Sequence, residues 1–240
     1  MNILARDYRI LITGAGRGIG RGIFDELKPL GKVYVSGRNE ALLKDCCADG
    51  YCICDLASGT KPLEDFILEK KINVLINNAG IYTYGGIDAM NSENIEEIFK
   101  VNLLAPVNLI KSAVKNMKAE KFGRIINIGS ISGVMGEANA SLYSASKSGL
   151  IGLTRALALE LAQYKITVNT INPGWVDTEL GNNSIDESEF SKEEILSTIP
   201  QRRFVEPNEI ANLCKYLISD EARGITGQSI NLCAGLSVGI

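Results

Sequence analysis

The chain has 240 residues, of which 45% are hydrophobic and 22% are charged, and its formal net charge is −3. This composition is that of an ordinary globular domain, and its slight acidity provides no basic surface of the kind that nucleic-acid binding requires. The chain contains no histidine, which excludes Ser-His-Asp hydrolases, histidine-ligated zinc sites and imidazole switches, so acid-base chemistry near neutral pH falls to Lys, Tyr, Cys or carboxylates.

Short β-branched apolar runs alternate with amphipathic stretches along the chain. Several runs are almost continuous in Val, Ile and Leu, as in strands whose two faces are both covered by helices. The pattern predicts a single doubly wound α/β domain of the Rossmann type over residues 1–240, with a seven-stranded, mostly parallel sheet and helices on both faces. The predicted strands are 9–13, 32–36, 51–55, 72–77, 123–130, 166–172 and 228–232, and the two longest predicted helices are about 92–118 and 141–164.

A glycine-rich turn, TGAGRGIG at 13–20, follows the first predicted strand and precedes a helix-compatible stretch. Glycines let a backbone approach a pyrophosphate, whose charge then meets the free N–H groups at the start of the helix. The spacing Gly-x-x-x-Gly-x-Gly is weak evidence by itself, because a tight structural turn explains it equally well. The residues of this turn that we predict to bind a dinucleotide are Gly14, Gly16, Arg17, Gly18, Ile19 and Gly20.

The end of the second strand indicates which dinucleotide is bound. A dinucleotide fold places an acid there for a free ribose 2′-hydroxyl, or a base for a 2′-phosphate. The chain has Arg38 and no carboxylate at this point, and Arg17 can approach from the glycine turn. Two guanidinium groups without an acid favour NADP(H) over NAD(H).

The cysteines and the apolar stretches indicate the compartment. Of six cysteines, the adjacent pair Cys46 and Cys47 and the alternating pair Cys52 and Cys54 lack the two-residue spacer of a zinc knuckle. We therefore expect reduced thiols that pack as small apolar side chains, and no bound metal. No stretch approaches the roughly 20 consecutive apolar residues that cross a bilayer, so we predict a cytoplasmic protein without a membrane partner.

The second long helix carries Tyr143 and Lys147, which lie about one turn apart on the same helical face. An ammonium group so close to a phenol favours the phenolate and is expected to lower a tyrosine pKa that is about 10 when unperturbed. Such a pair also arises by chance on solvated helices. Ser130, at the end of the fifth strand, lies at the same sheet edge as the glycine turn, where its hydroxyl can bind a carbonyl oxygen.

Residues 181–197, after the sixth strand, depart from the alternating pattern. They are acidic, with one lysine and few apolar anchors. A solvated surface loop explains this composition. Their position beyond the carboxyl end of a strand, where open parallel sheets bind ligands, favours a mobile lid over a substrate cleft, and we predict such a lid.

Taken together, these motifs resemble those of the short-chain dehydrogenase/reductase family, and the likeness runs along essentially the whole chain. Their joint presence in this order is highly specific, whereas each motif alone is not. Besides the glycine turn, the matching residues are Asp55, the run Asn77-Asn78-Ala79-Gly80, Asn102, Ser130, Tyr143 with Lys147, and Pro173-Gly174 with Thr178.

The resemblance implies an enzyme that interconverts a carbonyl and a secondary alcohol by hydride transfer with NADP(H). Tyr143 would donate the proton to the carbonyl oxygen and Ser130 would orient and polarise that carbonyl. Lys147 would lower the tyrosine pKa and bond the nicotinamide ribose, and Asn102 would hold a water of the proton relay. Besides the glycine turn, the implied cofactor-binding residues are Arg38, Asp55, Leu56, Asn78, Ala79, Gly80, Tyr143, Lys147, Pro173, Gly174, Val176 and Thr178.

The sequence leaves the substrate open between a small molecule and a thioester. The general pattern is nearest to that of 3-oxoacyl-[acyl-carrier-protein] reductases of fatty-acid synthesis, which hold an acidic carrier protein with basic residues beside the active site. Lys121 matches one such position, but Tyr164 occupies the other, with Lys165 beside it. A small carbonyl compound, a steroid or a sugar-derived compound is at least as compatible. The residues expected to line the pocket are Tyr82, Tyr84, Met135 and Trp175.

Two further expectations concern subunits and an alternative class of function. The family commonly pairs its long helices between subunits, so a homodimer or homotetramer is expected. The alternative is an NADP(H)-binding sensor or scaffold without turnover. An intact Tyr, Lys, Ser and Asn set argues against that alternative, because a binding module has no need of a proton donor. The expectation of a subunit contact rests on apolar residues that extend beyond one face of the second long helix, namely Leu150, Ile151, Leu153, Leu157 and Leu161.

Overall fold

The computed structural model describes residues 7–179, 181, 185 and 191–238, and within them the chain forms one seven-stranded sheet. Its strands are β1 (Arg9–Thr13), β2 (Lys32–Gly37), β3 (Gly50–Ile53), β4 (Val74–Asn77), β5 (Gly123–Ile128), β6 (Ile166–Pro173) and β7 (Ser229–Leu232). They lie in the order β3-β2-β1-β4-β5-β6-β7, and every neighbouring pair is parallel. The doubly wound sheet is thereby confirmed, and the strand order reverses between β1 and β4, where such sheets bind ligands.

Helices connect the strands and cover both faces of the sheet. They are α1 (Gly18–Leu27), α2 (Glu40–Asp45), α3 (Lys61–Glu69), α4 (Ser92–Phe99), α5 (Ala105–Glu120), α6 (Ser132–Met135), α7 (Ser141–Leu161), α8 (Lys192–Thr198) and α9 (Pro207–Ile218). One core lies between the sheet and helices α1, α2 and α9, and a second lies between the sheet and helices α3, α5 and α7. Alternate residues of β1 enter the two cores, because successive side chains of a strand point to opposite faces.

The helix predicted over residues 92–118 is interrupted, which corrects the expectation of one continuous helix. A π-helical segment, Lys100–Leu104, separates α4 from α5. Pro106 lies in the first turn of α5, directly after the π-segment. The π-segment contains Asn102, and single π turns of this kind occur frequently at functional sites.

All six cysteines are free thiols, and four of them are buried. Among the described residues, no group of three or more His, Cys, Asp and Glu side chains converges where a metal ion would bind. In the same part of the chain, no helix is both long enough and apolar enough to span a bilayer.

The predicted lid, residues 181–197, falls mostly outside the described residues. Of this segment the structure describes residues 181, 185 and 191–197. Ser191 caps α8 by accepting a hydrogen bond from the Glu194 backbone N–H, and the Glu194 side chain binds the Ser191 backbone in return. The lid itself stays a prediction.

The close packing of the glycine turn generates a first prediction. A Cβ at Gly20 would overlap the Gly14 carbonyl oxygen and would come within 2.6 Å of Asn78 Nδ2. Overpacking of this kind costs about 1–3 kcal/mol, so Gly20→Ala should lower the free energy of unfolding in urea by at least about 1 kcal/mol. Gly224→Ala is the matched control, since nothing lies within 4 Å of its Cβ position. Equal losses in the two variants would contradict the close packing.

Candidate active site

The glycine turn is fixed by hydrogen bonds to the ends of β2 and β4. The backbone N–H of Gly14 donates to the Ser36 carbonyl at 2.8 Å, and Gly14 has φ +66°, a conformation that favours glycine. The Asn78 side chain donates to the carbonyls of Thr13 and Gly14 at 2.8 and 3.1 Å. The Thr13 hydroxyl accepts from the backbone N–H groups of Asn78 and Ala79. These hydrogen bonds fix the backbone of the turn at the edge of the sheet.

A first cavity of about 450 Å³ extends from this turn along the carboxyl ends of β1, β2 and β4. The first turn of α1 forms part of its wall, and no side chain caps the N–H groups at that helix start. Unpartnered N–H groups and the helix dipole favour an anion at this position. The predicted cofactor-binding residues that line the cavity are Gly14, Gly16, Arg17, Gly18, Ile19, Gly20, Arg38, Asp55, Leu56, Asn78, Ala79, Gly80, Tyr143, Lys147 and Thr178.

The two arginines of the first cavity differ in their partners. Arg38 is exposed and has no hydrogen-bond or ion-pair partner within the described ranges of the chain. Arg17 pairs with Glu179 at 2.6 Å, and both side chains are largely exposed. Arg38 is thus free to bind an anion, whereas Arg17 must exchange one carboxylate for another anion.

Lys147 is buried, and its Nζ donates to the Ile128 carbonyl at the end of β5 over 2.9 Å. The same Nζ lies 5.6 Å from the centroid of the Tyr143 ring. Burial lowers the pKa of Lys147 to about 8. The pair predicted from the four-residue spacing therefore lies at the carboxyl edge of the sheet, against the wall of the first cavity.

The pKa of Tyr143 is raised, which corrects the expectation that Lys147 lowers it. Burial raises this pKa to about 12, a hydrogen bond from Ser130 opposes the rise, and the charge of Glu137 adds to it. Removal of the phenol from water penalises the phenolate, and this is the largest cause of the shift, whereas Lys147 is not among the groups that shift it. Tyr143 is consequently protonated at neutral pH, the form that donates a proton.

Asn102 lies behind the site rather than in either cavity. Its side-chain oxygen accepts from the Ile81 backbone N–H at 2.9 Å, and its amide donates to the Ile81 carbonyl at 2.9 Å and to Ser146 Oγ at 3.1 Å. Because Ile81 lines the first cavity, these bonds fix the cavity wall. The predicted role of Asn102 in holding a water stays a prediction.

A second cavity, of about 650 Å³, lies on the other side of Tyr143. The Ser130 hydroxyl lines it and donates to Ser132 Oγ at 3.1 Å. Tyr143 lines both cavities, so ligands bound in the two spaces approach each other at its ring. The predicted residues found in the second cavity are Tyr82, Tyr84, Ser130, Met135, Tyr143, Pro173, Gly174, Trp175, Val176 and Thr178.

Sequence reasoning missed several residues of both cavities. Glu137 lines the second cavity, and its carboxylate accepts from the hydroxyls of Tyr82 and Ser132 at 2.8 and 2.6 Å. The only signal for it was an acidic residue in the glycine-containing stretch shortly before Tyr143. In the first cavity, the residues missed near the second strand are Ser36, Gly37, Asn39, Leu42 and Leu43.

Comparison with known proteins assigns the family. A family model described as Enoyl-(Acyl carrier protein) reductase matches residues 14–237. An oxidoreductase of the short chain dehydrogenase/reductase family from Burkholderia thailandensis superposes with a TM-score of 0.87, at 28% identity, over 96% of this chain and 93% of that one. The chain belongs to the short-chain dehydrogenase/reductase family. It is accordingly an oxidoreductase by family, as the motifs predicted.

Other members of the short-chain dehydrogenase/reductase family are more similar in sequence. The 3-oxoacyl-[acyl-carrier-protein] reductase FabG of Rickettsia bellii is 38% identical over 233 residues, which cover 94% of this chain and 95% of that protein. The structure of a single-substitution variant of actinorhodin polyketide ketoreductase with NADPH superposes with a TM-score of 0.89, at 32% identity, over 97% of this chain and 98% of that one.

The buried lysine generates a second prediction, on stability. The pKa of Lys147 is about 8 in the folded chain, and a lysine in an unfolded chain has a pKa of about 10.4. The folded state therefore loses this proton first as pH rises. The contribution of Lys147 to the free energy of unfolding should increase by about 3 kcal/mol between pH 7 and pH 10.5 or so.

Urea unfolding of wild type and Lys147→Met at the two pH values measures this contribution by difference. Relative to the variant, the wild type should gain stability as pH rises. The exposed Lys111 provides the control, because Lys111→Met should change stability equally at both pH values. A wild-type advantage that shrinks toward high pH would contradict the burial of the ammonium.

Proposed function

We propose that the protein is an NADP(H)-dependent oxidoreductase that interconverts a carbonyl and a secondary alcohol, with Tyr143 as proton donor and acceptor. The observation that carries this proposal is the position of Tyr143, whose side chain lines both cavities. A dinucleotide in the first cavity and a carbonyl compound in the second would meet at this phenol. The family assignment and the NADPH-bound ketoreductase that superposes on the chain support the same reaction.

The first cavity fits a dinucleotide phosphate on three grounds. The start of α1 has no capping side chain and no acidic residue in its first turn. A Cβ at Gly14 would come within 3.0 Å of the Ala79 backbone, so only glycine leaves the turn this open. Arg38 stands beside the end of β2 without a partner among the described residues, and its guanidinium suits a 2′-phosphate. When bound, NADPH supplies the hydride.

The residues around Tyr143 divide the proton chemistry between them. The protonated phenol donates to the carbonyl oxygen, and the Ser130 hydroxyl can turn from Ser132 to donate to the same oxygen. Lys147, with a pKa of about 8, is mostly charged at neutral pH and stabilises the phenolate that forms. Its bond to the Ile128 carbonyl fixes the ammonium in place.

Loss of the phenol hydroxyl tests the proposed donor. Tyr143→Phe should reduce the rate of NADPH oxidation with a ketone by about 10²–10⁴-fold, the typical worth of a positioned general acid. The dissociation constant of NADPH should stay within about threefold, because the hydroxyl lies at the junction of the cavities rather than at the phosphate end. Absorbance decay and fluorescence titration measure the two quantities. Retained turnover in this variant would refute the role of Tyr143.

Reversal of the charge at Arg38 tests whether the bound cofactor carries a 2′-phosphate. Arg38→Asp should weaken NADPH binding by about 10–100-fold, the worth of hydrogen bonds to a charged group, and should leave NADH binding nearly unchanged. Fluorescence titration of both dinucleotides measures this difference. Arg223→Asp, an equal charge reversal outside both cavities, is the control. Equal weakening of NADPH and NADH by Arg38→Asp would contradict a 2′-phosphate site.

A second candidate function is reduction of a 3-oxoacyl group carried by acyl-carrier protein, which the FabG relative favours. Lys121 lies two residues before β5, and Lys165 directly precedes β6. Both therefore lie at the amino edge of the sheet, opposite to Tyr143. The expectation that such residues lie beside the active site is wrong within one chain. The two candidates are separated by the turnover rates of the same 3-oxoacyl group attached to carrier protein and attached to a small thiol. A carrier-protein reductase should turn over the carrier-protein thioester faster.

We further propose that the protein is a homo-oligomer. Leu159 on α7 is 84% exposed, and Leu104 in the π-segment is 51% exposed. Exposed large apolar side chains on the two long helical stretches favour a symmetric contact between copies. Sedimentation equilibrium distinguishes monomer, dimer and tetramer.

A further inference from the structure

The second cavity contains a carboxylate that is held in place beside the proposed proton donor. Glu137 lies in the turn between α6 and α7. One of its oxygens accepts from the Tyr82 hydroxyl and the other from the Ser132 hydroxyl, at 2.8 and 2.6 Å. The Tyr82 ring in turn packs edge-on against the Tyr143 ring, with the two centroids 5.0 Å apart. The position of the carboxylate relative to Tyr143 is therefore fixed by side chains from two separate parts of the chain.

The charge of Glu137 has no basic counterpart among the described residues that line the cavity, which include neither lysine nor arginine. A carboxylate offers about four acceptor sites, of which the two hydroxyls use two. Glu137 can thus accept further hydrogen bonds from a ligand in the cavity.

Among the described residues, the second cavity has one other carboxylate, and it belongs to a helix cap. This residue is Glu194, and the same Glu194 oxygen accepts from the backbone N–H and from the hydroxyl of Ser191, both at 2.8 Å, in the cap of α8. The two acids accept equally many hydrogen bonds, but they differ in their connection to Tyr143. Only Glu137 binds Tyr82, whose ring packs against Tyr143, and only its charge acts on the Tyr143 pKa.

We propose that Glu137 determines substrate selectivity, so that the cavity favours carbonyl compounds carrying a hydrogen-bond donor, above all an ammonium group, near the reacting carbon and disfavours those carrying a carboxylate there. This inference rests on the proposed carbonyl and alcohol chemistry at Tyr143. A hydroxyl should rank between the two groups, because it donates to a carboxylate without carrying a charge.

The effect of Glu137 on Tyr143 points in the same direction. The negative charge of Glu137 contributes to the raised pKa of Tyr143. A cation bound to Glu137 would offset that charge, whereas an anion would add a second one in the same cavity and be repelled. A donor-bearing substrate is therefore compatible both with the carboxylate and with the phenolate that forms during reduction.

Binding to the NADP⁺-loaded protein tests the inference without depending on turnover. The probes are four small secondary alcohols of equal chain length: an amino alcohol, a diol, an unsubstituted alcohol and a hydroxy acid, with dissociation constants measured by calorimetry. In the wild type the amino alcohol should bind about tenfold or more tighter than the unsubstituted alcohol, and the hydroxy acid about tenfold or more weaker. Glu137→Gln, which keeps the shape and removes the charge, should bring all four within about threefold.

Glu194→Gln is the matched control, since glutamine also serves in a helix cap and removes one charge from the same cavity. It should retain the wild-type order. Equal binding of the four probes to the wild type, or loss of the order in Glu194→Gln as complete as in Glu137→Gln, would overturn the inference. The ordered binding together with absence of ketone reduction would instead refute the proposed reaction and leave the selectivity of Glu137 standing.

Discussion

The hydrogen bond from the buried Lys147 ammonium to the Ile128 carbonyl joins the start of α7 to the carboxyl end of β5. Because the bond is buried and shielded from water, it fixes the first turns of α7 at the sheet edge, and Tyr143 is fixed with them. Tyr143 consequently lines two cavities, of about 450 and 650 Å³. With Tyr143 in this position, the cavity at the glycine turn and the second cavity share one proton donor.

Burial also decides the electrostatics of a chain that lacks histidine. It raises the pKa of Tyr143 to about 12 and lowers that of Lys147 to about 8, so the two groups move toward their neutral forms. A protonated phenol is the form needed to reduce a carbonyl, and an ammonium that is still mostly charged at neutral pH stabilises the resulting phenolate. The charge of Glu137 also opposes ionisation of Tyr143, and because Glu137 lines the second cavity it links the proton donor to that cavity.

Local pattern was sufficient for the sheet and for the Tyr143 and Lys147 pair, because strand burial and helical spacing depend on near neighbours in sequence. The π-segment Lys100–Leu104 was not predictable, since helical spacing continues through it and only the backbone bonding changes. The burial that raises the Tyr143 pKa depends on packing between distant elements. Glu137 was missed for the same reason, as its partner Tyr82 lies 55 residues away in the chain.

Ultraviolet difference titration of tyrosinate, wild type minus Tyr143→Phe, tests most directly whether burial keeps the proton on the phenol. An exposed tyrosine ionises at a pH of about 10. Tyr143 should contribute no ionisation below that pH, and its transition should lie near pH 12 or at the unfolding of the chain. A transition of Tyr143 at or below neutral pH in the folded protein would contradict it, because the phenolate would then be the resting form.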